Sequence, residues 1–376
     1  MEAPSVRTRR RARFLTVLIC AAAWTLQPAP AQAIDLSSWY YRDIGAGRAW
    51  EYGLGEGVTV AVVDSGVDES HPVLDGSVLD GISYVIEDDS ESDEEANDDG
   101  HLDPVGHGTA VAALIAGGQD SPTPGIAPEA DILPVRVLDD ENRYHDATVV
   151  ARAIEWAVDQ GADVVNLSLG GEQSAYALAD ALAYAARNDV LVVACTGNGD
   201  EEDDPAVWYP GRDPLTMAVT GVGPSGERWP SAITGDETTI AAPSVNLRAP
   251  SPGGGYRNVT GTSFSTALVS GAAALLRAEN PGASADEVRQ MLLDTARPAG
   301  ADTGAGVLDV AAAIGVDPDT VVVEQPVRQA RLGVAEAGAA AVVLVLLTAV
   351  AAWIRPRRRE SGAAGEPAPA RSTAGV

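Results

Sequence analysis

Five short runs of apolar, largely β-branched residues recur along the middle of the chain and alternate with segments of helical spacing. The runs are Val58–Val63, Ile132–Val137, Val164–Leu169, Val190–Ala194 and Met217–Val222. The helical segments include Ala110–Ala116, Thr148–Gln160 and Tyr176–Arg187, and a longer one runs from Phe264 to Ala278. Strands that alternate with helices form βαβ units, and continuous apolar strands suit burial on both faces. The alternation therefore predicts an α/β fold, with a mostly parallel sheet and helices on both faces.

Apolar segments near both ends predict export and anchoring. Five arginines between residues 7 and 13 precede the run Phe14–Leu26, and Ala-Gln-Ala follows at 31–33. This layout predicts a signal peptide cleaved after Ala33, with an uncleaved anchor as the alternative. The uncharged run Ala337–Ile354 is followed by four arginines and predicts a C-terminal transmembrane helix. By the positive-inside rule, we expect a single-pass cell-membrane protein with its body extracellular and its C-terminus cytoplasmic.

The chain is strongly acidic, with a formal net charge of −29. A phosphate backbone requires the opposite sign, so nucleic acid is excluded as a partner. The densest acidic segment, Glu87–Asp103, is interpreted as a solvated loop because like charges repel. A structural Ca²⁺ site is the alternative, but the spacing does not match an ordered calcium loop, and we predict no metal ligands.

Three polar residues stand at the ends of predicted elements, in the chain order Asp, His, Ser. Asp64 ends the first strand, His107 lies in V-G-H-G-T at the mouth of an alanine-rich helix, and Ser263 opens the helix after G-T. Each has a local explanation, since Asp and Ser also cap turns and helices. Together they are the parts of a nucleophilic site, because a serine needs a base and the base needs a carboxylate to orient it.

The segments around these three residues resemble those of the subtilisin-like serine peptidases. V-A-V-V-D-S-G-V-D, G-H-G-T-A-V-A and G-T-S-F-S are similar to the three catalytic motifs of that family, over about Val58 to Ala313. The segment W-Y-Y-R-D-I-G-A-G-R-A-W and the two apolar ends resemble the mycosins, the membrane-anchored subtilases of type VII secretion. The resemblance implies a subtilisin-like fold with Ser263 as nucleophile, His107 as base and Asp64 as its support.

The resemblance also implies roles for two further segments. In C-T-G-N-G, Asn198 would donate its amide to the oxyanion, beside the backbone N–H of Ser263. Ser168, Leu169 and Gly170 would offer main-chain groups to an extended peptide lying as an added strand. No cofactor is implied. Without the resemblance, a turn residue is the preferred explanation for Asn198, since asparagine tolerates left-handed backbone.

Four residues, at three places in the chain, depart from the family pattern. Ala110 and Ala267 stand where many members have histidine and proline, and Cys195-Thr196 replaces small alanines before Asn198. The Cys195-Thr196 change would either narrow the specificity pocket or expose a thiol. A lone cysteine in an apolar run is more often a buried small hydrophobe.

These observations predict the following division of the chain: signal peptide 1–33, N-terminal extension 34–57, peptidase domain 58–315, linker 316–336, transmembrane helix 337–354 and cytoplasmic tail 355–376. The predicted function is that of a membrane-anchored serine endopeptidase that processes exported proteins and contacts secretion-complex subunits. The alternative is a scaffold or binding subunit that retains the fold while its catalytic activity is dispensable.

Overall fold

A seven-stranded sheet, parallel throughout, forms the centre of the computed structural model. The structure describes residues 38–85, 99–144, 146–199 and 206–316. The strand order is β2-β3-β1-β4-β5-β6-β7. The strands are β1 Thr59–Asp64, β2 Ile82–Ser83, β3 Asp131–Arg136, β4 Val164–Leu167, β5 Leu191–Cys195, β6 Thr216–Val222 and β7 Ile240–Pro243. Two further strands, β8 Leu247–Pro250 and β9 Tyr256–Val259, form an antiparallel ribbon.

Helices cover both faces of this sheet. Two core clusters lie on opposite sides of β1, since Val60 and Val62 belong to one and Ala61 and Val63 to the other. The helices are α1 Trp39–Asp43, α2 Ala46–Ala49, α3 His107–Ala116, α4 Ala147–Asp159, α5 Tyr176–Arg187, α6 Thr262–Glu279, α7 Ala285–Asp294 and α8 Val310–Ala313. Helices α3 and α6 pack in the first cluster, and α4 and α5 in the second. The predicted α/β fold is confirmed.

The order of the strands predicts a functional site at the carboxyl end of β1. The chain moves from β1 to β3 on one side and then to β4 on the other. In open parallel sheets, such a reversal leaves a crevice at the carboxyl ends of the strands. Asp64 is the last residue of β1 and lies at this edge.

Several element boundaries differ from those predicted. Strand β4 ends at Leu167 rather than Leu169, and α3 begins at His107 rather than Ala110. The first turn of α3 contains glycine beside His107. Because glycine is a poor helix former, the sequence pattern does not indicate a helix there. The short strands β2 and β7 were not predicted, since two to four residues show too little periodicity.

The N-terminal segment 38–50 is packed into the domain. Tyr40 and Tyr41 are buried, and the Tyr41 hydroxyl donates to the carbonyl of Pro124 at 2.6 Å. The indole N–H groups of Trp39 and Trp50 donate to the carbonyls of Val245 and Ile126. This segment therefore contributes aromatic side chains to the core beside α3.

No helix within the described ranges is long and apolar enough to cross a membrane. The predicted signal peptide, transmembrane helix and tail, and most of the linker, lie outside those ranges.

We expect Tyr41→Ala to destabilise the protein strongly, because it removes a ring that is 2% exposed and leaves a cavity. The free energy of unfolding should fall by about 3–5 kcal/mol, the usual loss when a large buried aromatic is truncated. Denaturant unfolding of the purified protein measures this change. Tyr52→Ala is the matched control, since Tyr52 is 49% exposed; equal effects of the two substitutions would show that the segment is not part of the core.

Candidate active site

Asp64 presents a buried carboxylate at the end of β1. Its side chain is fully buried, and Oδ1 accepts a hydrogen bond from the backbone N–H of Ser65 at 2.7 Å. The same oxygen lies 2.7 Å from Nδ1 of His107. Among the described residues, Oδ2 has no hydrogen-bond partner. Within the part of the chain that the structure describes, the imidazole is therefore the one side chain that is hydrogen-bonded to this carboxylate.

His107 is the first residue of α3, and its neighbouring glycine explains how it reaches Asp64. A Cβ atom on Gly108 would lie 2.1 Å from the carbonyl oxygen of Gly66 and 3.1 Å from the Cβ of Asp64. Any larger residue at position 108 would hold α3 away from the turn after β1. On the other side, the ring of Phe264 packs against the imidazole, with 5.4 Å between ring centroids.

Asp103 holds the loop that leads into α3, a role that the sequence interpretation missed. Its Oδ1 accepts from the N–H groups of Val105 and Gly106 and from the Ser65 hydroxyl. Its Oδ2 accepts from the N–H and the hydroxyl of Thr109 at 2.9 and 2.6 Å. The signal in the sequence was an Asp four residues before His107, but it ended an acidic segment and was grouped with the solvated loop.

The pKa of His107 is raised above its ordinary value of 6.5. Burial is the largest single effect and lowers the pKa, but the charge of Asp64 and the hydrogen bond to it raise the pKa. The charge of Asp103 raises it further, and that of Arg257 lowers it. Compared with a free imidazole, the balance between the two forms is therefore shifted toward the imidazolium, which carries a proton on both nitrogens.

Ser263 lies in the first turn of α6 and is joined to the end of β4. Its hydroxyl donates to the carbonyl of Ser168 at 3.0 Å, and the Ser168 hydroxyl donates to the carbonyl of Ser263 at 2.8 Å. Behind this pair, Asn166 donates to the Ser168 hydroxyl and accepts from Ser270. The sequence interpretation missed Asn166 and Ser270, whose neighbours along the chain carry no polar pattern.

The three predicted catalytic residues thus come together, but they do not form one continuous hydrogen-bonded line. His107 and Ser263 line the same cleft, and Asp64 lies directly behind His107. The expected contact between the hydroxyl and the imidazole is replaced by the contact between Ser263 and Ser168. The Ser168 carbonyl is a nearby acceptor that sequence spacing does not reveal.

Asn198 is held in one orientation at the rim of the cleft. Its Oδ1 accepts from the N–H of Thr262 at 3.0 Å and from the Thr262 hydroxyl at 3.1 Å. Because both of these Thr262 groups donate to the amide oxygen, the amide nitrogen of Asn198 must face away from Thr262. Its two N–H groups have no partner among the described residues, and Asn198 lines the cleft.

The segment Ser168–Gly170 borders the cleft beyond the end of β4. Neither the N–H nor the carbonyl of Gly170 has a hydrogen-bond partner in the described part of the chain. The carbonyl of Leu169 is turned inward and accepts from the Cys195 thiol at 3.5 Å. Among the described residues, both backbone groups of Gly170 are therefore without a partner at the cleft, whereas the Leu169 carbonyl is already hydrogen-bonded.

The cleft has a volume of about 780 Å³. Its lining includes His107, Tyr144, Cys195, Trp208, Arg257 and Ser263. Cys195 is buried, and burial raises the pKa of its thiol to about 12. The thiol is thus protonated at neutral pH and is not exposed as a nucleophile. Within the described ranges, no group of three His, Cys, Asp or Glu side chains is placed to hold a metal ion, and residues 87–98 of the acidic segment lie outside them.

Comparison with known proteins gives one consistent result. The family model described as the subtilase family matches residues 55–315. The chain is 36% identical over 263 residues to Subtilisin E of Bacillus subtilis (strain 168), covering 69% of this chain and 66% of that protein. It thus spans somewhat less than two thirds of that relative. It is 35% identical over 279 residues to Subtilisin BL of Lederbergia lenta, covering 73% of this chain and 97% of that one.

Solved structures extend this similarity. The MycP3 protease from the type VII (ESX-3) secretion system is 30% identical, with a TM-score of 0.65 and coverage of 78% of this chain and 90% of that one. MycP1 with its N-terminal propeptide removed is 28% identical, with a TM-score of 0.64 and coverage of 75% and 98%.

Two charged residues should shift the pKa of His107 in opposite directions. Removal of a positive charge by Arg257→Gln should raise it, and removal of a negative charge by Asp103→Asn should lower it. NMR titration of the purified protein measures both, with the His107 resonance assigned by its loss in His107→Gln. Shifts of the same sign in the two variants would contradict this electrostatic account.

Proposed function

The chain belongs to the subtilase family, and from that premise we propose that it is a serine endopeptidase that hydrolyses peptide bonds through Asp64, His107 and Ser263. The observation that carries the proposal is the 2.7 Å contact between Asp64 and Nδ1 of His107, in the cleft that also contains Ser263. An ionised carboxylate only accepts hydrogen bonds, so the proton of a neutral imidazole lies on Nδ1. The lone pair of Nε2 is then available to accept the proton of the serine.

The binding of a peptide would prepare Ser263 for attack. In the free protein, its hydroxyl donates to the carbonyl of Ser168. An extended peptide lying along Gly170 would bring its own N–H groups to this edge and compete for the Ser168 carbonyl. The hydroxyl would then turn to His107, in keeping with the general tightening of catalytic hydrogen bonds when substrate binds.

Each step then has a defined group. The Ser263 oxygen attacks the peptide carbonyl while His107 takes its proton, and His107 returns that proton to the leaving amine. The developing oxyanion would be stabilised by the Asn198 amide and by the N–H of Ser263, which lies in the first turn of a helix, where N–H groups lack helical partners. Water releases the acyl group from Ser263 by the reverse steps. None of them requires a cofactor.

The location of the activity is proposed from the sequence. The segments 1–33 and 337–354 predict an exported protein held by one transmembrane helix, with its peptidase domain outside the cell and its C-terminus in the cytoplasm. Two structural neighbours are described as proteases of type VII secretion systems. By analogy, we infer that this protein processes exported proteins beside a secretion complex, where tethering raises the local concentration of substrate.

One observation favours the alternative, a scaffold subunit whose catalytic activity is dispensable. The Ser263 hydroxyl is satisfied by Ser168 rather than by His107. Reactivity of the serine separates the two functions, because a scaffold does not need an activated hydroxyl.

A fluorophosphonate probe should label the purified wild-type protein and fail to label Ser263→Ala. Asn198→Ala is the matched variant, since it keeps all three catalytic groups. It should still be labelled, but peptide hydrolysis should slow by about 10²–10³-fold, the usual effect of losing one oxyanion donor. Absence of labelling in the wild-type protein would favour the scaffold, and equal labelling of Ser263→Ala would show that another residue reacts.

Expression of the chain truncated after Val316 should release a folded protein into the medium, whereas the full chain should remain with the membrane fraction. The reason is that truncation removes the uncharged run 337–354 and the arginines after it. Fractionation followed by immunoblotting measures the difference. If the truncated protein stays with the membrane, the anchor lies elsewhere.

A further inference from the structure

A slot opens from the cleft between two backbone segments beside Ser263. One wall is Ser168–Gly170, which follows β4, and the other is Cys195–Gly197, which includes the end of β5. The slot begins at the nucleophile, because the Ser263 hydroxyl donates to the Ser168 carbonyl. It also begins at Asn198, which directly follows Gly197. A side chain next to a carbonyl held between Ser263 and Asn198 would therefore be directed into this slot.

The indole of Trp208 occupies the slot. A Cβ on Gly197 would lie 2.4 Å from Cδ2 of Trp208 and 2.8 Å from Cγ and Cε2, so a face of the ring lies against Gly197. A Cβ on Gly170 would lie 3.2 Å from Cβ and 3.5 Å from Cε3 of the same tryptophan. The ring is thus held between two glycines that leave room for it because they have no side chains.

The backbone around Trp208 is hydrogen-bonded to both walls. The N–H of Trp208 donates to the carbonyl of Thr196 at 3.0 Å. The next residue, Tyr209, exchanges two hydrogen bonds with Gly171, at 2.8 and 2.9 Å. Movement of the tryptophan out of the slot as a unit would break all three contacts. These contacts fix the backbone of Trp208 at the slot, and the residue lines the cleft together with Ser168, Leu169 and Asn198.

Leu169 and Cys195 also line the cleft at the slot. Leu169 and Cys195 are buried and joined through the thiol, and that thiol remains protonated. A large side chain entering beside Ser263 would have to displace the indole from Gly197. A hydrogen atom, a methyl or a hydroxymethyl group would lie at the edge of the ring without displacing it.

On the basis of the proposed peptidase function, we propose that Trp208 restricts the residue that supplies the cleaved carbonyl, named P1, to glycine, alanine or serine. The substrate class is then peptides and exported proteins cut after a small residue. The restriction acts by excluded volume, since the indole fills the space that a larger P1 side chain would need. It predicts that truncation of Trp208 opens the slot.

The test compares two fluorogenic peptides that differ only at P1, alanine against phenylalanine, with the purified full-length protein. In the wild-type protein, kcat/KM should be at least about 10-fold higher for alanine. In Trp208→Ala, the ratio of kcat/KM for phenylalanine to that for alanine should rise by about 10–200-fold, the range for a change in an apolar specificity pocket. Trp156→Ala is the matched control, since Trp156 lies in α4, packs against the second core cluster and does not line the cleft.

Three outcomes overturn the inference. They are a wild-type preference for phenylalanine, equal rates on both peptides, and an unchanged ratio in Trp208→Ala. If Trp208→Ala does not fold, Trp208→Phe replaces it and should give a smaller shift in the same direction. If neither peptide is cleaved, peptidyl phosphonate probes with alanine or phenylalanine side chains are compared by labelling rate. Labelling that is independent of side-chain size contradicts the role of Trp208 alone, whereas absence of labelling by every probe contradicts the proposed peptidase function as well.

Discussion

The contact between Asp64 and His107 is the interaction on which the rest of the site depends. A fully buried carboxylate is unfavourable unless it is paired and hydrogen-bonded, and here the partners are the imidazole and one backbone N–H. The pairing requires α3 to start against the turn after β1, which Gly108 permits. Asp103 then accepts hydrogen bonds from five donors and so holds the loop before His107 in place. This one contact thus accounts for Gly108, the loop before His107 and the start of the helix.

A second buried polar connection fixes the nucleophile. It runs from Ser270 in α6 through Asn166 in β4 to Ser168 and back to Ser263. Buried polar groups that are fully satisfied rigidify a structure, because leaving one unpaired is unfavourable in a low dielectric. Strand and helix are therefore held in one relative position at the point where Ser263 meets the cleft. Helix α6 is buried almost to its end, and many of its buried residues are small.

The remaining walls of the cleft are also held by contacts made outside it. Asn198 is oriented by Thr262, and Trp208 is held by Thr196 and the neighbouring pair of Tyr209 and Gly171. Preorganised donors need no rearrangement when charge develops, which is why such positioning contributes to catalysis. In the proposed peptidase, the same rigidity allows the indole of Trp208 to restrict the size of the substrate side chain that enters the slot.

The sequence by itself predicted the main strands, from their apolar runs. It also singled out Asp64, His107 and Ser263. Both results come from patterns over neighbouring residues. Residue spacing determined the α/β class, and local motifs determined which polar residues to consider. Only the tertiary structure decided what these residues touch. Asn166 and Trp208 escaped prediction because they contact residues of other elements, and Asn166 lies 104 residues from its partner Ser270 in the chain. Asp103 escaped prediction for a different reason, since it ends the acidic segment that is interpreted as a solvated loop, although most of its donors are local. The hydrogen bond from the Ser263 hydroxyl to the Ser168 carbonyl is not evident from the sequence, because Ser168 lies 95 residues from Ser263 in the chain and only folding makes them neighbours. Local periodicity determines which elements form, whereas side-chain contacts between distant elements depend on how those elements pack.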